Sequence, residues 1–551
     1  MNELHTSKTL AWSLLAAFIL FTLYALGIRA LVPPDEGRYA EMAREMFANG
    51  DWITTRLNGI KYFEKPPLQT WMNALSFAAF GLGEWQARLW TGVCAILGVL
   101  LTGYTGRRVF NQRVGFYAAL VLGSCFYWVA CGQIDSLDMS LSAMMTIALC
   151  ALLLAQRDNA DARQRCHWML VCWAGMALAV LAKGLIGIVI PGAVLVLYTL
   201  ATRDWGLWTR LHLGKGLLLF FAIAAPWFVL VARINPEQPH FFFVHEHFER
   251  FLLKEHHREG PWYTFFVLLA IGAVPWLGVL LQSLRHGLQR EHTRFRPRLM
   301  LFIWLVFIVL FFTKSSSKLP GYILPVFPAL ALLTAGYLEQ GSRRSRMLTG
   351  VLTALAGVVL LALVPNMGRF AYYPADLHLL QAWQPWVLAA GFIALAGGAF
   401  ATLAARQLQR DLGVVALAIA GFGATQLVLA GSDGYGRLRS GIDMVPVIQA
   451  EATPATPIYS VAIYEQSLTF YLRRTVTLVN YVDEFRFGLE QEPGRAIARI
   501  EDWASQWRAQ AAAGQKALAI ISPEAYAKMQ AQDLPMRLLA RDTRRLVIAN
   551  L

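Results

Sequence analysis

The chain has 551 residues, of which 56% are hydrophobic and only 15% charged, and its mean hydropathy is +0.45. Repeated apolar runs of about 18 residues or more exclude an ordinary soluble enzyme and indicate a polytopic membrane protein. The net charge of +14 reads as basic loops on one side of a membrane rather than a nucleic-acid surface, and no cysteine lies in the polar tail to start a disulfide framework.

In chain order, apolar residues run over 10–32 with no small-residue cleavage site behind them, so the segment reads as a span and not a signal peptide. Pro33-Pro34 stop it and set the acidic pair Asp35-Glu36 at the membrane–water boundary. Ionisable groups are costly at membrane depth, which makes this pair a functional hypothesis. Residues 36–48 carry Tyr39, Ala43, Met46 and Phe47 as a helical stripe and end at Asn49-Gly50, predicting a helix lying on the bilayer surface. Asp35 is then either only the N-cap of that helix or a working acid. Glu64-Lys65-Pro66-Pro67 follows, with Lys65 read either as a snorkelling interfacial lysine or as a point charge for a phosphate. The segment 66–83 is apolar but short and belongs in the interface.

Further spans are predicted near 86–106, 113–131, 138–156, 168–183, 185–202, 216–233, 262–284, 299–313, 320–338, 348–365, 385–405 and 412–431, about thirteen in all. With 66–83 outside the count, every Lys/Arg cluster from Arg107-Arg108 to Arg406 and Arg410 falls on the cytoplasmic side. Loops 33–85, 132–137, 234–261, 314–319 and 366–384 then face outward, and so does the carboxyl terminus. The expected architecture is a helical membrane domain over 1–431 and a small α/β domain over 432–551.

The outer loops collect the chemistry. Asp135 and Asp138 flank the turn between two spans, with capping as the plain alternative for Asp138. Lys183-Gly184 sits where two spans nearly abut. The loop 240–257 holds five of the eleven histidines together with Glu246 and Arg250. A divalent metal such as zinc, held by Glu64 and His245, is one reading of that loop, although the spacing is not a zinc signature. Arg250 suits a phosphate because its fork binds two oxygens. Lys314 and Lys318 flank a serine run before Leu319-Pro320-Gly321-Tyr322. Carboxylates beside several cations at a lipid surface suit a phosphate leaving group, whose developing charge the cations stabilise.

In the tail, 458–464, 475–479 and 516–521 read as strands, Ser522-Pro523-Glu524 as a helix start, and 536–541 with 544–550 as a hairpin about Asp542-Thr543. There is no phosphate-binding glycine loop.

Taken together, Pro34-Asp35-Glu36-Gly37-Arg38-Tyr39, Glu64-Lys65-Pro66-Pro67-Leu68, Asp138-Met139, Lys183-Gly184, His247-Phe248-Glu249-Arg250-Phe251 and Lys318-Leu319-Pro320-Gly321-Tyr322 resemble the bacterial lipid A aminoarabinose transferases, ArnT, within the GT-C superfamily of polyprenyl-phosphate glycosyltransferases. The resemblance implies a polytopic GT-C fold with a periplasmic α/β domain, set in the bacterial inner membrane. It implies undecaprenyl phosphate carrying 4-amino-4-deoxy-L-arabinose as donor and a lipid A phosphate as acceptor. The product would be a less anionic lipid A, giving resistance to polymyxin and cationic peptides. By motif, Asp35 and Asp138 match the catalytic acids. The resemblance implies a substrate-contacting set of Glu36, Tyr39, Tyr62, Lys65, Lys183, Arg250, Lys318 and Tyr322, with Glu64 and His245 as metal partners. Two rivals stand beside this reading. One is a protein O-mannosyltransferase, which needs a true base for a hydroxyl acceptor. The other is a lipid flippase or transporter, which predicts broken helices and charges near the bilayer midplane.

Overall fold

The computed structural model describes residues 4–249 and 260–550, apart from the side chains of His245, His247, Phe248 and Glu249. Long apolar runs with no water to satisfy their backbone can only close their hydrogen bonds as helices, and the chain does so. Helices α1 (Lys8–Ala25), α2 (Asp35–Asn49), α3 (Leu68–Phe80), α4 (Glu84–Val109), α5 (Gln112–Leu122), α6 (Phe126–Cys131), α7 (Leu137–Gln156), α8 (Ala162–Lys183), α9 (Ile186–Thr202) and α10 (Leu213–Ile234) build the first half. The second half continues with Pro297–Lys314, Phe327–Gln340, Arg343–Leu363, Leu377–Arg406 and Arg410–Gly431. Helix α7 is buried along almost its whole length and is the central post of the bundle.

Among the described residues, ten helices are long and apolar enough to cross a membrane, or eleven if one bent pair counts as a span. The expected thirteen segments are all helical, but three are not single straight spans. Residues 113–131 break between α5 and α6 at Gly123, Ser124 and Cys125. Helix α9 has 17 residues, about 26 Å at 1.5 Å per residue, against a hydrocarbon core of about 30 Å. Residues 262–284 form Thr264–Gly272 and Trp276–Gly287, bent by 113° at a break that contains Pro275. Proline removes a helical donor and clashes with the preceding turn, which accounts for a break there. Helix α3, from the segment assigned to the interface, has 13 residues and reaches only about 20 Å.

Beyond Gly431 the chain forms a six-stranded mixed sheet. Its strands follow a short hairpin, β1 (Arg56–Leu57) and β2 (Ile60–Lys61). They are β3 (Ile458–Val461), β4 (Thr477–Val479), β5 (Ala496–Ile497), β6 (Leu518–Ile521), β7 (Arg537–Arg541) and β8 (Leu546–Ala549), in the order β5-β4-β3-β6-β8-β7. The first four neighbours run parallel, and β8 and β7 add antiparallel as a hairpin. Strands β3 and β6 are buried on both faces, as parallel strands between helical layers are, and the antiparallel β8 beside them is buried as well. Ser522 caps the helix Pro523–Gln530 by accepting from the Ala525 amide. One face of the sheet packs Ile458, Leu518 and Val547 with Tyr39, Met42, Leu57 and Leu137 of the membrane domain. The sheet domain and α2 therefore share a core.

Candidate active site

Helix α2 begins at the acidic pair, and its first two residues face opposite ways. A helix turns 100° per residue, so adjacent side chains never share a face. Glu36 turns inward and is buried with Arg88 of α4. Arg88 donates from Nε to Glu36 Oε1 at 2.6 Å and from Nη2 to Oε2 at 2.9 Å. Its remaining donors satisfy the carbonyls of Leu26, Arg29 and Ala30, the loose end after α1. Glu36 also accepts from the amides of Val32 and Asp135. Burial pushes its carboxyl upward, but the Arg88 guanidinium outweighs that and holds it below the usual range. The reading of Glu36 as a substrate contact is thereby corrected. Its oxygens are spent on locking α1, α2, α4 and the loop before α7 together.

Asp35 turns outward and is half exposed. No side-chain cap bond starts α2, so capping is not what this carboxylate does. Arg38 Nη1 reaches Asp35 Oδ1 at 3.0 Å, and Arg38 Nε reaches Glu484 Oε2 of the sheet domain at 2.7 Å. The guanidinium also lies 5.9 Å from the ring centre of Tyr62. Tyr39 and Tyr62 are buried, and burial, with neighbouring carboxylates adding to it, lifts both phenols well above their usual value. They are neutral hydrogen-bond donors. Tyr39 sits in the combined field of Asp35, Arg38, Glu64 and Asp138, which come from three separate segments of the chain.

Asp138 is the second residue of α7, again without a capping bond at the helix start. Its carboxylate meets Lys183, the last residue of α8. Gly184 ends α8 directly after this lysine with φ 84°, a left-handed position that glycine takes without a steric penalty. The Lys183 ammonium lies 4.9 Å from the ring centre of Tyr322. Gly321 passes so close to Asp138 that a methyl group there would overlap the carboxylate. Lys65 donates to Glu246 Oε2 at 2.6 Å and to the Glu64 carbonyl at 2.7 Å.

The structure thus brings together Asp35, Tyr39, Tyr62, Glu64, Asp138, Lys183 and Tyr322, with Lys65 at their edge. Lys318 does not join them and is a second correction. Its ammonium donates to the carbonyls of Phe312, Thr313 and Ser315, and an ammonium has only three donors. It caps the helix Pro297–Lys314 and has no N–H left for a phosphate. Arg250 and the side chain of His245 lie outside the described residues, and among those described no three acidic, histidine or cysteine side chains form a metal cluster. Asp135 is fully buried, accepting from Gln69 Nε2 at 2.7 Å and Asn73 Nδ2 at 2.8 Å, and is part of the frame. The sequence reading missed Arg88 and Glu484. Arg88 had a signal, a charge inside an apolar run, whereas Glu484 had none.

Two carboxylates, each held by one cation, face buried phenols and a further lysine at one mouth of the bundle. Carboxylates and cations so placed are a set that can orient charged groups and stabilise developing negative charge. A family model described as the aminoarabinose transferase C-terminal domain matches residues 444–550, and one described as dolichyl-phosphate-mannose-protein mannosyltransferase matches residues 64–230. The undecaprenyl phosphate-alpha-4-amino-4-deoxy-L-arabinose arabinosyl transferase of Erwinia tasmaniensis is 32% identical over 65% of this chain and 66% of the relative. A second such transferase, from Proteus mirabilis, is 31% identical over 70% of this chain and 69% of the relative. The crystal structure of ArnT from Cupriavidus metallidurans bound to undecaprenyl phosphate superposes with a TM-score of 0.93 at 39% identity, covering 99% of each chain. The same protein in the apo state gives 0.91. Fold and site define a membrane-embedded glycosyltransferase of the GT-C class. Within that class, the chain belongs to the ArnT family of aminoarabinose transferases.

Proposed function

We propose that this chain moves 4-amino-4-deoxy-L-arabinose from undecaprenyl phosphate to a phosphate of lipid A. The reaction would occur at the periplasmic face of the inner membrane. The observation that carries this is the superposition over 99% of both chains with an ArnT bound to undecaprenyl phosphate. The basic clusters read from the sequence support the orientation, since they leave the Asp35 face outside.

An acceptor phosphate brings its own negative charge at neutral pH, so little base catalysis is required. One of its oxygens attacks C1 of the sugar, and the bond from C1 to the undecaprenyl phosphate oxygen breaks. The leaving phosphate gains charge as it departs, and Lys65, together with Arg250 as read from the sequence, stabilises it. Asp138 with Lys183, and Asp35 with Arg38, fix the sugar and its cationic 4-amino group in line for attack. Tyr39 and Tyr62 donate hydrogen bonds without bringing charge. Glu64 and His245, paired from the sequence, would hold a divalent ion, which would supply positive charge for the phosphate; loss of transfer on chelation tests that contribution. Modified lipid A is less anionic, which weakens attraction of polymyxin and cationic peptides.

The mannosyltransferase match over residues 64–230 favours one second reading, transfer to protein hydroxyls. Purified protein supplied with the lipid-linked aminopentose and either lipid A or a serine- and threonine-rich peptide separates the two. Sugar on lipid A alone supports the proposal, and sugar on the peptide alone replaces it.

A further inference from the structure

The membrane domain carries both candidate acids, which leaves the sheet domain without a stated task. Its contacts supply one. The segment running through Asp483–Phe485 and Arg486–Gln491, with Glu492 directly after it, makes three ties to the membrane domain. Phe487 stacks on Phe241 with ring centres 4.0 Å apart and meets Phe63 edge-on at 6.1 Å. Just beyond this segment, Glu492 Oε2 pairs with Arg56 Nη1 at 3.0 Å. The third tie is Glu484, nearly buried, which accepts from Arg38 Nε at 2.7 Å and from Gln466 Nε2 at 2.6 Å. Arg38 has one end on Glu484 and the other, at 3.0 Å, on Asp35. Guanidinium is planar and rigid, so fixing one edge fixes where the other points. Asp35 is more than half exposed, and Arg38 is the cation paired with it.

We propose that Glu484 of the sheet domain is a positioning residue for Asp35, acting through Arg38. The soluble domain is then part of the active site and not an appendage. The inference rests on the proposed role of Asp35 at the sugar. A free arginine would swing with Asp35 among several rotamers, and an acid held about 1 Å out of place costs on the order of 100-fold in rate.

The test is a double-mutant cycle on the full-length protein, purified in detergent, with undecaprenyl-phosphate-linked aminoarabinose and lipid A as substrates. Glu484→Ala is expected to lower kcat at least about tenfold while the donor KM stays within about threefold, because orientation and not donor affinity is lost. Glu484→Gln keeps an acceptor for Arg38 and is expected to fall between the two. If the alanine variant does not survive purification, the glutamine variant carries the cycle. Arg38→Ala combined with either change is expected to be no slower than Arg38→Ala alone, since both act along one path. A folded Glu484 variant with unchanged kcat, or losses that multiply in the double variant, would overturn the proposal. Asp35→Asn is the control for the underlying reading. Full activity there removes the role of Asp35 itself and the relay with it. Inactivity there beside an unchanged Glu484→Ala removes the relay alone.

Discussion

Asp138 and Lys183 stand at the ends of two adjacent helices, the second residue of α7 and the last of α8, and their charges meet under the ring of Tyr322. Neither is at a cap or in a loop, so both are carried on rigid elements. Removing the cation leaves the Asp138 carboxylate without its charge partner. Lys183→Met is therefore expected to cut kcat by about 100-fold or more, the scale of losing one positioned charge partner. Steady-state kinetics of the purified variant checks this, and Lys183→Arg is expected to recover part of the loss.

Gly321 offers a change that touches no charged group. A methyl at this position overlaps the Asp138 carboxylate and must push it off Lys183. Gly321→Ala is expected to lower kcat by about 10- to 100-fold through misplacement of the acid. Thermal unfolding should change little beside that loss.

The Glu36–Arg88 pair predicts the opposite balance, a loss of stability before a loss of chemistry. Breaking a buried pair by removing one partner costs about 3–5 kcal/mol, because the other charge is stranded. Glu36→Gln and Arg88→Met are expected to unfold earlier on heating. The sign of the pH effect follows from the depressed carboxyl of Glu36. Its contribution is complete above the unfolded carboxylate value of about 4.3 and is lost as pH falls through the lower folded value. The wild-type unfolding temperature should therefore drop on acidification through that window, and the drop should be smaller in Glu36→Gln.

Gly37 tests the contact between the two domains. It lies against the backbone of Ser467, with no room for a methyl group. Overpacking of this kind costs about 1–3 kcal/mol. Gly37→Ala is expected to prise the sheet domain from α2, and limited proteolysis between residues 432 and 457 should report the release.

The sequence announces α2 and its acids because Pro33-Pro34 cut an apolar run and leave charges at its edge. It does not say that Asp35 and Glu36 part company, since that depends on Arg88, 52 residues on in the chain. Lys318 misled for a related reason. A lysine beside a serine run reads as a free cation, while three carbonyls at a helix end claim it only once the loop folds back. The bend after Gly272 had a visible cause in Pro275, but proline alone does not say whether a span kinks or breaks. Strands β3, β6 and β8 were legible from apolar runs between turn signals, whereas β5, two residues long, carries no pattern to read. Glu484 was beyond reach altogether, being 446 residues from Arg38 in an unremarkable acidic stretch.

The most direct measurement is mass spectrometry of lipid A from a polymyxin-sensitive strain lacking its own transferase, supplied with this chain or with Asp35→Asn, at matched expression. An aminopentose on a lipid A phosphate with the native chain, and none with the variant, is the predicted result. Unmodified lipid A from well-expressed native protein, or full modification by Asp35→Asn, would contradict the account.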